Sequence, residues 1–93
     1  MPNSNWEYSI AVAFPAINVK GIIRLRDGLA MLQLDDPRRT QELCDAEAKA
    51  GKKVHYDKTY RAMFEYYEDL NAVEIKNKIE AELKKAGGEL KDI

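Results

Sequence analysis

Apolar and polar residues alternate cleanly from Trp6 to Phe14. Trp6, Tyr8, Ile10, Val12 and Phe14 fall on one side, and Glu7, Ser9, Ala11 and Ala13 on the other. A period of two over such a run predicts a half-buried strand. Pro15 stops it, because proline cannot continue an interior ladder. A second strand is predicted from about residue 18 to 26, with Val19, Gly21, Ile23 and Leu25 on one face and Lys20, Ile22, Arg24 and Arg26 on the other. Asp27-Gly28 suits a type I′ turn, and a third strand returns over about 29–35. A two-residue loop there sets Leu25 opposite Ala30, Ile23 opposite Leu32 and Gly21 opposite Leu34. The apolar positions of all three strands then share one face. A slip of one residue would throw them to the other, so the register is strongly specified.

The remainder reads mainly as helix. Asp36-Pro37 resembles an N-cap followed by proline at N1, opening a helix over about 37–50. Thr40, Leu43, Ala46 and Ala50 line one side of it, and Gly51 suits the position after the C-cap. Lys52 to Tyr56 is a connection that can hold a short strand at Val54-His55-Tyr56. A second helix is expected over about 58–70, capped by Asp57, with Tyr60, Met63, Phe64 and Tyr67 inward. Asn71 with Glu74 has capping-box spacing, and Leu70 with Ile75 has the spacing of a hydrophobic staple. Both signals start a separate helix over about 72–86, with Ile75, Ile79, Leu83 and Ala86 inward. Gly87-Gly88 ends it, leaving residues 89–93 as a tail or a short added edge strand. The expected fold is α+β. A three-stranded antiparallel β-meander (about 6–14, 18–26, 29–35) is packed on one face by two to three helices (about 37–50, 58–70, 72–86), as one domain over 1–93.

Size and charge narrow the function. Ninety-three residues are enough for one core. Fifteen basic and sixteen acidic side chains give a net charge of −1, which argues against generic polyanion binding but leaves a local basic patch open. A single cysteine excludes an internal disulfide and a cysteine-built zinc site. Met1 to Asn5 lacks the pattern of a secretory signal, and no apolar run approaches the roughly 20 residues that span a bilayer. A reduced, cytoplasmic protein with no membrane association is the expectation.

Candidate chemistry is sparse. Cys44 stands mid-helix beside Asp45, a setting that opposes thiolate formation. His55 and Asp57 have the types of a general base and its orienter, but no nucleophile stands at a recognised spacing. The glycines at 21, 28, 51, 87 and 88 are scattered and form no phosphate loop. Glu74 with Lys78 and Glu80 with Lys84 have the i,i+4 spacing of a solvated helix face. The expectation is a non-enzymatic protein with no catalytic residue, metal ligand, cofactor or small-molecule ligand.

Binding is the remaining class. The face opposite the predicted core displays Ser9, Ala11, Ala13, Lys20, Ile22, Arg24, Arg26, Leu29, Met31 and Gln33. Ile22, Leu29 and Met31 form an apolar patch there, and Arg24 and Arg26 would fix a partner's orientation. The favoured function is a protein-interaction module (homodimer, adaptor or inhibitor) using this face or the open edges of the first and third strands. On this reading Met31→Asp or Ile22→Asp leaves the fold intact and abolishes association. The alternative is nucleic-acid binding through Lys20, Arg24 and Arg26, joined by Arg38 and Arg39. The acidic net charge and the lack of a base-stacking aromatic on the outer face weigh against it. The stretch Glu65 to Asp69 reads as an acidic-aromatic helix face suited to mimicking an acidic ligand.

Overall fold

Strands β1 (Tyr8–Phe14), β2 (Val19–Arg26) and β3 (Leu29–Leu34) pair antiparallel in the register the alternation requires. Leu25 faces Ala30, Ile23 faces Leu32 and Gly21 faces Leu34, while Ile10 faces Ile23 and Val12 faces Gly21. These positions come from a computed structural model, which describes residues 6–93. The reading of Met1 to Asn5 lies outside the described residues. A short 3-10 turn, Pro15–Ile17, joins β1 to β2, with Asn18 in the left-handed region closing it. Gly21 is required by close approach: a Cβ there would meet the Gln33 carbonyl oxygen at 2.7 Å and Leu34 Cδ2 at 2.9 Å.

The Asp27-Gly28 loop is not the expected type I′ turn. Only Gly28 has positive φ, +76°, which is the sign pattern of a type II turn. Tertiary bonds hold this geometry. Gly28 donates to the Leu70 carbonyl and accepts from the Tyr67 amide, and the Asp27 carboxylate accepts from the Ala72 amide at 2.8 Å.

The largest departure from expectation lies between residues 54 and 66. No helix forms there. β4 (Val54–Asp57) and β5 (Ala62–Tyr66) make a second hairpin, and β5 pairs with β3, setting Met31 opposite Phe64 and Leu32 opposite Met63. Asp57 caps the hairpin turn rather than a helix, its carboxylate accepting from the Thr59 and Tyr60 amides. Arg61 closes the turn with φ +52°. The spacing of Tyr60, Met63, Phe64 and Tyr67 that read as a helical stripe also fits a strand in which Met63 and Phe64 point to opposite faces. The gain from pairing with β3 decides between the two.

β6 (Glu89–Asp92) adds to β1, so the described residues form one six-stranded antiparallel sheet in the order β4-β5-β3-β2-β1-β6. Two helices cover one face of it. α1 (Pro37–Lys49) starts where β3 ends and α2 (Ala72–Lys85) starts beside the Asp27 turn, so they run in opposite senses. The caps follow expectation: the Asp36 carboxylate accepts from Arg38 N–H, and Asn71 with Glu74 forms a complete capping box. Ile75 and Ile79 of α2 close over Ile10, Val12, Ile23, Leu25 and Ala30, with Leu70 packed alongside. Full burial of a side chain such as Ile10, Leu25 or Ile75 contributes roughly 1.5–3 kcal/mol each. α1 is turned slightly from the expected stripe. Thr40 and Cys44 are its buried residues, and Ala46 and Ala50 face solvent. Ion pairs on α2 join Lys76 to Glu80 and Lys78 to Glu82, not the pairs read from the sequence.

The expected open edges are likewise displaced. β1 and β3 are interior strands, and the edges are β4 and β6. Each is four residues long and carries charge, which blunts strand addition. Among the described residues no helix is long and apolar enough to cross a membrane.

Candidate functional site

Because the helices sit on the Ile10-Ile23-Ala30 side, the opposite face of the sheet is free of them. Strand parity brings two rows of side chains across it. One runs His55, Phe64, Met31, Arg24, Ser9, and the other Tyr66, Leu29, Arg26. A third row sets Gln33, Ile22, Ala11 and Lys91 abreast, and Lys20 follows beside Ala13 and Glu89. Neighbouring strands are about 4.8 Å apart, so the aromatics of β5 stand roughly 10 Å from the arginines of β2.

Of the residues expected to bind a partner, Ile22 and Arg24 are half-buried and Arg26 is exposed on this face. Leu29 and Met31 lie on it too, but they are 9% and 5% exposed. β5 flanks them on one side and β2 on the other, so they belong to the packing of the sheet and offer no apolar contact patch. Lys20 is exposed at one end of the face. Arg38 and Arg39 do not join it. They occupy the first turn of α1, and Arg39 lines the space between the helices.

Sequence reasoning missed the aromatic component. Phe64 and Tyr66 stand on the helix-free face because residues 62–66 are a strand. Phe64 packs edge-on to Tyr60, with ring centroids 6.2 Å apart, and His55 lies 6.3 Å from it. Tyr66 is 48% exposed. Trp6 adds a further ring, with the Arg26 guanidinium 5.4 Å above it. The density of aromatic residues from Tyr60 to Tyr67 was the available signal, since such residues favour strands. The acidic-aromatic helix face read at Glu65 to Asp69 does not exist: Tyr66 points outward, Glu65 inward, and Glu68 pairs with Lys53.

Two recesses open on this face. One, of about 860 Å³, is floored by Ala11, Ala13 and Ile22 and bordered by Lys20, Tyr60, Arg61 and Lys91. The other, of about 540 Å³, lies among Glu7, Arg26, Leu29 and Tyr66. Lys20, Arg24, Arg26, Arg61 and Lys91 on and around the face stand among Glu7, Asp27, Asp35, Asp57 and Glu89. Asp57 and Glu89 stand on the two edge strands, and Asp57 is committed to its turn. The face is therefore mixed in charge, with its cations gathered on β2 at Lys20, Arg24 and Arg26.

His55 and Asp57 share one face of β4, but the Asp57 carboxylate is held by the Thr59 and Tyr60 amides. Cys44 is buried in α1, and its thiol is held above the ordinary range by that burial, then by Asp45 and Glu47. His55 is on an outer strand, packed against Phe64. Among the described residues no three His, Cys, Asp or Glu side chains gather to hold a metal ion.

The chain matches no protein-family model, no curated protein and no solved structure.

Proposed function

We propose that the protein is a non-enzymatic binding module and that its helix-free sheet face takes a single-stranded nucleic acid. The observation that carries this reading is the pairing of β5 with β3, which sets Phe64 and Tyr66 on the same face as Arg24 and Arg26. Single-strand binders combine ring faces on which bases stack with cations that follow the phosphates. The recesses beside Lys20, Lys91 and Tyr66 give unpaired bases room on a sheet that is otherwise shallow. The cations gathered on β2 can meet phosphates despite the acidic total, because a charged ligand senses the surface it approaches.

A protein partner is the second reading. It is favoured by the residue types on the face, since Tyr, Phe, Met and Arg are those enriched at interface centres. The burial of Leu29 and Met31 works against it by removing the apolar middle of the patch. A second copy paired about the middle of β2 is disfavoured further, because it would set Arg24 and Arg26 of one chain against those of the other.

Fluorescence anisotropy with labelled single-stranded DNA and RNA oligonucleotides tests the choice. Neutralising four phosphates with Lys20, Arg24, Arg26 and Lys91 gives a log–log salt slope of about −2.8. Affinity then falls roughly 50-fold between about 50 and 200 mM salt. Tyr66→Ala costs about 1–3 kcal/mol through lost stacking. Absence of binding at about 50 mM salt overturns the nucleic-acid reading. A molecular mass of two chains from light scattering, lost in Arg24→Glu, would instead establish self-association.

A further inference from the structure

The two helices do not close over the whole of the sheet they cover. Between them lies a cleft of about 570 Å³, a volume within the range of pockets that hold small organic molecules. Its floor is apolar, made by Val12, Ile23, Ala30, Leu32 and Met63. Its walls are Leu43 of α1 and Ile79 and Leu83 of α2. Leu32, Leu34, Leu43 and Leu83 all point to the helix-covered side yet remain only half-buried, because the cleft keeps them from a packing partner.

The charged groups lining this cleft are four carboxylates and one guanidinium. Glu65 is the unusual member. It sits opposite Ala30 on the covered face of β5, where an apolar residue would complete the core. Glu47 reaches the cleft from α1 and Glu82 from α2, with Glu42 nearby on α1. Arg39 is the cation among the lining residues, at the start of α1, while Glu47 lies near its end. Lys52 stands outside the lining and reaches Glu47 at 3.4 Å. Two neighbours register the joint field of these carboxylates. Burial first, then a hydrogen bond to Glu65 and the charges of Glu65, Glu82 and Glu47, hold the Tyr67 hydroxyl far above the ordinary tyrosine range. Partial burial works to lower the Lys52 pKa, but Glu47, Glu65 and Glu82 outweigh it and raise the ammonium above the usual lysine value. Among the described residues these carboxylates do not gather into a metal-holding group.

We propose that this cleft binds a small organic cation, its apolar body lying on Leu32 and Met63 and its ammonium group on the side of Glu65 and Glu82, beyond the Glu47 carboxylate that Lys52 already pairs. An anion of the same shape meets four carboxylates and a single guanidinium. A neutral molecule gains the apolar floor but nothing from the carboxylate excess. The ammonium form supplies both halves of the match, and charge-assisted bonds to carboxylate are the stronger kind. This site is on the opposite side of the sheet from the nucleic-acid face and stands independently of it.

The test uses three rigid probes of one shape: adamantylammonium, adamantanecarboxylate and adamantanol. Each is titrated into isotopically labelled protein and followed by amide and methyl chemical shifts. The expected result is saturable binding of the ammonium probe, with shifts at Leu32, Leu43, Met63 and Leu83 and at least tenfold weaker binding of the other two. Glu65→Gln and, separately, Glu82→Gln weaken the ammonium probe roughly tenfold. Glu82 is exposed on α2, so its substitution keeps the test valid if Glu65→Gln perturbs folding. Leu32→Trp fills the cleft and abolishes binding in a chain shown by circular dichroism to be folded. Equal binding of the three probes, shifts on the helix-free face, no binding at millimolar concentration, or binding that survives Leu32→Trp would each overturn the proposal.

Discussion

Replacing Asp27 by alanine isolates the link between the central hairpin and α2. Asp27 occupies a solvent-exposed turn, yet its carboxylate accepts from the Ala72 amide at 2.8 Å, and Ala72 is 1% exposed. Ala72 is the first residue of α2, so its N–H is one of the donors that a helix cannot satisfy internally. Asn71 and Glu74 satisfy two others through the capping box, and Asp27 supplies a third link from 45 residues away. Without it a buried N–H loses its partner, which costs about 1–3 kcal/mol. The favourable charge at the helix N-terminus, about 0.3–1 kcal/mol, goes with it. Asp27→Ala is therefore expected to lower the unfolding free energy by about 2 kcal/mol, measured by urea titration with circular dichroism at neutral pH. Asp27→Asn keeps an acceptor and a turn-forming side chain, so it should cost under about 1 kcal/mol. A loss in Asp27→Ala smaller than about 0.5 kcal/mol, or equal losses in the two variants, would refute the reasoning.

Three other outcomes follow from the packing. Met31→Asp places a carboxylate at a 5% exposed site and should destabilise the fold by about 3 kcal/mol or more, reversing the sequence-based expectation that it spares the fold; an unchanged urea midpoint would contradict this. Tyr67 has a raised pKa in the folded state, so the native chain holds that proton more tightly than the unfolded one. Its contribution is present below about pH 10 and is lost as pH rises beyond it; urea midpoints across alkaline pH should fall more steeply for wild type than for Tyr67→Phe. Cys44 should react slowly with iodoacetamide in the folded protein and at the rate of a free thiol once unfolded, because burial and neighbouring carboxylates both disfavour its thiolate.

The elements legible in the sequence are those whose signals agree at more than one level. β1 to β3 combine clean alternation with a two-residue turn, and their register follows from parity alone. α2 is marked by both its cap and its apolar stripe. Residues 54–66 failed because Tyr60, Met63, Phe64 and Tyr67 satisfy a helical spacing, and the turn between β4 and β5 contains no Gly, Pro or Asn. That turn is instead held by the Asp57 side chain and by Arg61 in the left-handed region, a conformation no local rule anticipates for arginine.

The same misreading hid half of the candidate site. Arg24 and Arg26 were visible as the outward positions of β2, but Phe64 and Tyr66 reach that face only through the pairing of β5 with β3. A three-stranded meander leaves β3 at an edge, with Leu29 and Met31 exposed; β5 covers that edge and buries them. The inter-helix cleft depends on the spacing of two helices, which periodicity does not specify.

The most direct measurement is an amide chemical-shift map of the labelled protein titrated with a single-stranded oligonucleotide at about 50 mM salt. Shifts should concentrate on Lys20 to Arg26, on Phe64 and Tyr66 and on Lys91, and leave α1 and α2 unmoved. A saturating titration whose shifts fall on the helices, or one that moves no residue of β2 and β5, would contradict the account.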